Sequence, residues 1–308
     1  MFTRPNSTDS ECLLADFLEL ECLISGGAVS SLSYRSLLTV ADDELDNEGI
    51  ESADDKAAEM LDVAVAECSK RSQFCNGRYP FEIGVSSLML KSNLPYFKEV
   101  YKFLLLITRM NMQTHRCFSG YDATSLFEEL CACVAREYYG PRSQVKVFGT
   151  SVSGTFEKKI CNLLKSLNIK GNFKRPIGST GREKDGSLDL VAWIPFADKR
   201  EGQMIALGQC KTGTTWEQML SDLEPRVFFA SYSTEQPFAS PVKMFFVSEF
   251  FEDYKWEERC RKGGVLFDRT RIMEYLPNKI NADLLTRIKE WNASAMETVR
   301  TRGREYSF

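Results

Sequence analysis

Two short apolar segments, SLDLVAWI (187–194) and MIALGQCKT (204–212), restrict the fold more than any other feature of this 308-residue chain. Each has the length of a buried strand, and a polar hairpin joins them. Before them, GTFEKKICNLLKSLN (154–168) sets apolar Phe156, Ile160, Leu163, Leu164 and Leu167 at helical spacing. After them, TTWEQMLSDL (214–223) reads as a helix and VKMFFVS (242–248) as a further strand. The order from 154 to 248 is helix, strand candidate, strand, strand, helix, strand. Apolar strands of this kind need helices over their faces, which predicts an α/β protein.

The first part of the chain reads differently. Residues 1–70 carry 4 Lys/Arg and 16 Asp/Glu, whereas the remaining 238 residues carry 35 and 27, so an acidic front precedes a basic body. ECLLADFLELECLI and DKAAEMLDVAVAECSK are helical patterns on either side of ADDELDNEGIESADD, which is too acidic to pack. FEIGVSSLML (81–90) has strand character. PYFKEVYKFLLLITRMN (95–111) and YDATSLFEELCACVAREYYG (121–140) are helices, the second opened by Asp or Thr and closed by Gly. The last segment, NADLLTRIKEWNASAMETVR, is a polar amphipathic helix. Two units are expected: an acidic, mainly helical accessory domain over 1–118 and a second domain over 119–308 that holds the paired strands.

Several chemistries are pruned at once. The single histidine, His115, leaves no general-base triad, and there is no GxSxG elbow, phosphate loop or GxGxxG fingerprint. Ten cysteines include no CxxC pair, which argues against structural zinc. The opening MFTRPNSTDSE lacks a basic-then-apolar leader and the longest apolar run, FLLLI, is too short to span a bilayer. A cytoplasmic protein with reduced thiols is the expectation.

One cluster carries chemistry. Side chains two apart on a strand share a face, so Gln209 and Lys211 point the same way and Cys210 turns back. Asp189 sits on the neighbouring strand, and Glu157 opens the preceding helix. Hard divalent cations take oxygen ligands, so Asp189, the Gln209 amide oxygen and the Cys210 carbonyl form a candidate set for Mg²⁺ or Mn²⁺. Lys211 stands where it would orient a metal-activated water. The loop 165–185 adds six basic residues, Lys165, Lys170, Lys174, Arg175, Arg182 and Lys184, as a candidate phosphate-gripping rim. Thr212, Thr214 and Thr215 open the next helix, where free N–H groups suit a phosphate.

FEKKICNLLKSLN…DGSLDLVAW…ALGQCKTG resembles the core of the PD-(D/E)XK nuclease superfamily, and within it the Mrr-like restriction-endonuclease branch with Q-x-K in place of (D/E)-x-K. The resemblance covers about 154–248 and matches Glu157, Asp189, Gln209 and Lys211. A second "FE", Phe127-Glu128, competes for the helix position; Glu157 is preferred because its helix directly precedes the strands. The resemblance implies a restriction-endonuclease-like αβββαβ core with a mixed sheet. It implies a Mg²⁺-dependent endonuclease acting on DNA in a bacterial anti-phage or restriction setting. Two strands to cut imply a homodimer or a larger complex, and the absent motor motifs imply a separate helicase, ATPase or sensor. The rival reading is a degenerate nuclease fold that binds nucleic acid or a protein partner without cutting.

Overall fold

In the computed structural model the described residues are 5, 8–30, 50–85, 87–149, 154–176, 186–251 and 253–305. The acidic stretch 42–48 and the loop cations Arg182 and Lys184 lie outside them. Helix α1 (Glu11–Ile24) is capped by Ser10, whose hydroxyl accepts the Leu13 N–H. Strand β1 (Ala28–Ser30) follows, then helix α2 (Ile50–Phe74), which packs along α1. The segment read as one strand at 81–90 is a hairpin of β2 (Phe81–Ile83) and β3 (Ser87–Leu90), because Gly84 turns back and its N–H donates to the Ser87 carbonyl. Strand β3 lies between β1 and β2 in a small antiparallel sheet. Helix α3 (Pro95–Arg109) starts on its proline, and the short β4 (Cys117–Phe118) and β5 (Tyr121–Asp122) lead into α4 (Ala123–Tyr139). Asp122 caps α4 by accepting the Thr124 N–H, and Gly140 ends it at φ 86°.

The rest builds the main sheet. In chain order it comprises β6 (Gln144–Val147), α5 (Phe156–Ser166), β7 (Leu190–Ile194), β8 (Met204–Lys211), α6 (Pro225–Tyr232) and β9 (Val242–Val247). Helix α7 (Trp256–Gly263), β10 (Val265–Phe267), α8 (Arg269–Glu274) and α9 (Ala282–Glu305) complete it. The strand order is β10-β9-β8-β7-β6, with β6, β7 and β8 an antiparallel meander and β9 and β10 parallel to β8. The chain is thus a mixed α/β protein, as its apolar pattern requires.

Two expectations are corrected. The sequence gives no strand at 144–147, because QVKV is an edge strand of four residues whose polar side chains face out. The helix that opens the sheet is therefore α4, and α5 lies in the connection between β6 and β7. The helix expected over 214–223 is a single 3₁₀ turn, Trp216–Met219, and the α-helix begins later, at Pro225, where proline suits a first turn.

Period-two alternation divides the sheet into two faces. Leu190, Ala192, Ala206, Met244 and Phe246 join one core with α1, α2, α3, α4 and α9. On the other face Val191, Trp193, Ile205 and Leu207 pack under α5 and α6, and Phe245 and Val247 pack with Trp216 and Phe251. The larger core runs from Leu14 to Met296 and does not stop at residue 118. Polar groups cross the same line. The fully buried Asp16 carboxylate of α1 accepts from Arg71 of α2 (2.7 Å), Arg109 of α3 (2.5 Å) and Arg269 of α8 (2.6 Å).

Candidate active site

The site is built where β7 and β8 part. Leu190 pairs with Gly208, and one residue earlier the ladder is broken. The Asp189 N–H still donates to the Gly208 carbonyl (2.9 Å), but it is the Asp189 carboxylate that accepts the Cys210 N–H, at 2.8 Å. A side chain has taken the place of a ladder carbonyl. Asp189 is thereby fixed in the gap between the strands, 8% exposed. Within a strand the N–H and C=O of one residue point to the same edge, so the Cys210 carbonyl faces that gap as well.

Gln209 and Lys211 lie on the face opposite Cys210. Gln209 is fully buried, between Leu207 of one cluster and Phe245 of the next. Among the described residues it alone leaves both polar side-chain atoms, Oε1 and Nε2, without a hydrogen bond while wholly buried. An unpaired buried amide costs about 1–3 kcal/mol, which sets Gln209 apart from the other buried polar side chains of the sheet. Lys211, half-buried at the end of β8, is held by its backbone: its carbonyl accepts the Ser248 N–H.

From the α4 face comes Glu128, 7% exposed. Its carboxylate lies against Gly149, the residue whose N–H donates to the Asp189 carbonyl at 3.1 Å. The thiols of Cys131 on α4 and Cys210 on β8 report the same convergence. Burial pushes both above the ordinary thiol range, Cys210 far above it, and Asp189 and Glu128 each add to the effect. Both carboxylates act on the same two sulfurs. Those sulfurs stay neutral, which removes Cys210 as a nucleophile.

The structure does not bring Glu157 to the gap. It is exposed in the first turn of α5, whose buried face is Lys159, Ile160, Leu163 and Leu164. Its position is that of a glutamate complementing the helix dipole. The buried helix carboxylate on this side is Glu128 of α4, which lies against Gly149. The basic rim is divided. Lys170 pairs with Glu201, and Gln203 bonds the Leu167 carbonyl, which ties Lys165 and Lys170 to the far end of β8. Lys174 and Arg175 follow Phe173, which meets Phe156, and the Lys174 ammonium donates to the Ala230 carbonyl of α6 at 3.2 Å. The three threonines after Lys211 open no α-helix, and Thr215 makes no capping bond. All ten cysteines are free thiols.

No protein-family model, curated protein or solved structure matches this chain. No described helix is long and apolar enough to cross a membrane. Nor do three or more His, Cys, Asp or Glu side chains gather into a metal cluster among the described residues. A cation at the gap would therefore rest on two carboxylates and neutral oxygens. Asp189 and the Cys210 carbonyl at the gap, and Glu128 beside Gly149, are oxygen donors of the kind a hard divalent ion takes, and the Gln209 amide, one residue from the gap, is another of that kind.

Proposed function

We propose that this protein is a metal-dependent endodeoxyribonuclease of the PD-(D/E)XK type, in its Q-x-K form. The observation that carries the reading is Gln209, buried with both amide atoms unpaired, one residue from a strand gap that holds Asp189. The sheet supports it: α4, the antiparallel strands β6, β7 and β8, α6 and the parallel β9 follow the order of a restriction-endonuclease-like core, with α5 inserted between β6 and β7. Asp189, Glu128, the Cys210 carbonyl and the Gln209 Oε1 are the ligands for Mg²⁺ or Mn²⁺.

Bound there, the cation would neutralise phosphate charge and acidify a water. The protein's own groups do the rest. The Cys210 N–H holds the Asp189 carboxylate in one orientation. Two carboxylates balance a divalent charge, and the neutral Gln209 leaves the pocket free of a third anion that would repel a phosphodiester. Lys211 orients the attacking water and stabilises the developing negative charge. Lys174 and Arg175, both exposed, are the loop cations offered for phosphate contacts; the Lys174 ammonium rests on the Ala230 carbonyl in the free protein. One such site cuts one strand, so duplex cleavage requires a second copy or a larger complex with a sensor or motor protein.

Plasmid cleavage with Mg²⁺ or Mn²⁺ tests this, comparing wild type with Asp189→Ala, Lys211→Ala, Glu128→Gln and Glu157→Gln. The first three should lose activity by on the order of 10²-fold or more, and Glu157→Gln should stay near wild type. Cleavage that survives Asp189→Ala would overturn the assignment. A protein that binds DNA but never cuts it, and takes up no cation through Asp189, would be the binding module instead.

A further inference from the structure

Gly149 is a glycine for which the backbone offers no reason: its φ is not in the left-handed region, where glycine is favoured. Space offers one. A Cβ built on Gly149 would meet the Glu128 carboxylate, with Oε2 at 2.5 Å and Cδ and Oε1 both at 2.8 Å. The carboxylate is seated against the bare Cα. The glycine itself is held from the other side by Lys159, a buried lysine on the apolar face of α5, whose Nζ donates to the Gly149 carbonyl at 2.9 Å. Its N–H is spent on the Asp189 carbonyl. One residue thus touches both acidic members of the candidate site and is clamped by a third side chain.

We propose that Gly149, held by Lys159, is the seat that sets where the Glu128 carboxylate stands at the cation site. This rests on the cation reading above. Both are positioning residues. A side chain at 149 displaces the end of a flexible glutamate, so the cost falls on the carboxylate's position and not on the fold. Loss of the Lys159 ammonium frees the glycine's carbonyl and loosens the seat.

The test is Mn²⁺ titration of the full chain by calorimetry, with thermal unfolding of each variant in metal-free buffer. Gly149→Ala should weaken Mn²⁺ binding by about 10- to 100-fold while the unfolding midpoint stays near wild type. Glu128→Asp alone should also weaken it, because the shorter carboxylate no longer reaches its place. In the Gly149→Ala background the same shortening makes room, so the double variant should bind more tightly than Gly149→Ala alone. Lys159→Met should weaken binding, and Lys159→Arg should restore part of it. Wild-type affinity in Gly149→Ala, a double variant no tighter than the single, or collapse of the fold in Gly149→Ala would each overturn the seat. Asp189→Ala is titrated alongside. If wild type shows no Asp189-dependent Mn²⁺ uptake, the cation site fails first and the seat with it; if that uptake is present and Gly149→Ala matches wild type, the seat alone fails.

Discussion

Gln209 and Asp16 show opposite ways of burying polarity. Gln209 is wholly buried with nothing to bond, so replacing it with leucine of similar size should stabilise the ligand-free protein by about 1–3 kcal/mol. Urea unfolding measures this, and a loss of stability in Gln209→Leu would mean that the amide is already satisfied. Asp16 is wholly buried and saturated: Arg71 and Arg269 donate to Oδ1, Arg109 and Arg269 to Oδ2. Burial alone would raise its carboxyl, but Arg109, Arg269 and Arg71 more than offset that and hold it far below its usual range. A carboxyl with a depressed folded pKa contributes stability that is fully present above its unfolded value, near 4, and is lost as pH falls. Wild type should therefore exceed Asp16→Asn in stability at pH 7, and that margin should narrow steadily as pH falls from 5 to 2. A margin independent of pH in denaturation curves would rule the linkage out. Glu249 and Asp268, raised mainly by burial, work in the opposite sense, since acid relieves their cost of ionisation.

At the scale of elements, the central strand is set by a glycine. A Cβ on Gly208 would lie 2.9 Å from Leu190 Cδ1 and Cγ and 3.2 Å from Met244 Cε, so β8 runs where a side chain would collide. Gly208→Val should cost about 1–3 kcal/mol by overpacking, seen as a lowered unfolding midpoint. An unchanged midpoint would show that Leu190 and Met244 yield freely. The strands on either side of this position were legible in the sequence because they are apolar and bounded by turns; their pairing sets the Asp189 carboxylate on the Cys210 N–H. What periodicity could not show was β6, four residues at the sheet's edge with little burial to leave a pattern. Missing it shifted the opening helix by one element, and with it the proposed carboxylate, from Glu128 to Glu157. The competing "FE" at Phe127-Glu128 was the signal, but only the strand after it decides between the two. Gly149 was invisible for another reason: a glycine that serves as empty space has no local signature.

For the molecule as a whole, the charge boundary near residue 70 is not a packing boundary, and neither is residue 118. The large core joins Leu14, Phe17 and Leu18 of α1 with Phe103 to Ile107 of α3, the sheet's Ala206 and Phe246, and Ile288 and Trp291 of α9. Phe103 and Trp291 meet edge to face at 5.3 Å, and Asn292 donates to the Glu99 carbonyl at 2.9 Å. The arginines that surround Asp16 come from both sides of residue 118, and Arg269 also bonds the Ser248 carbonyl, next to the residue that ends β9. Ser248 in turn donates to Lys211. The first 118 residues thus cover one face of the sheet and brace the end of the strand that carries Gln209 and Lys211. A fragment comprising 119–308 would expose that face and strip Arg269 of the Asp16 carboxylate; losing one partner of a buried ion pair costs about 3–5 kcal/mol in other proteins. It should lack a cooperative unfolding transition and bind hydrophobic dye, while the full chain melts in one step. A fragment that melts cooperatively and takes up Mn²⁺ through Asp189 would show that the two halves are separable, and would return residues 1–118 to the role of an accessory.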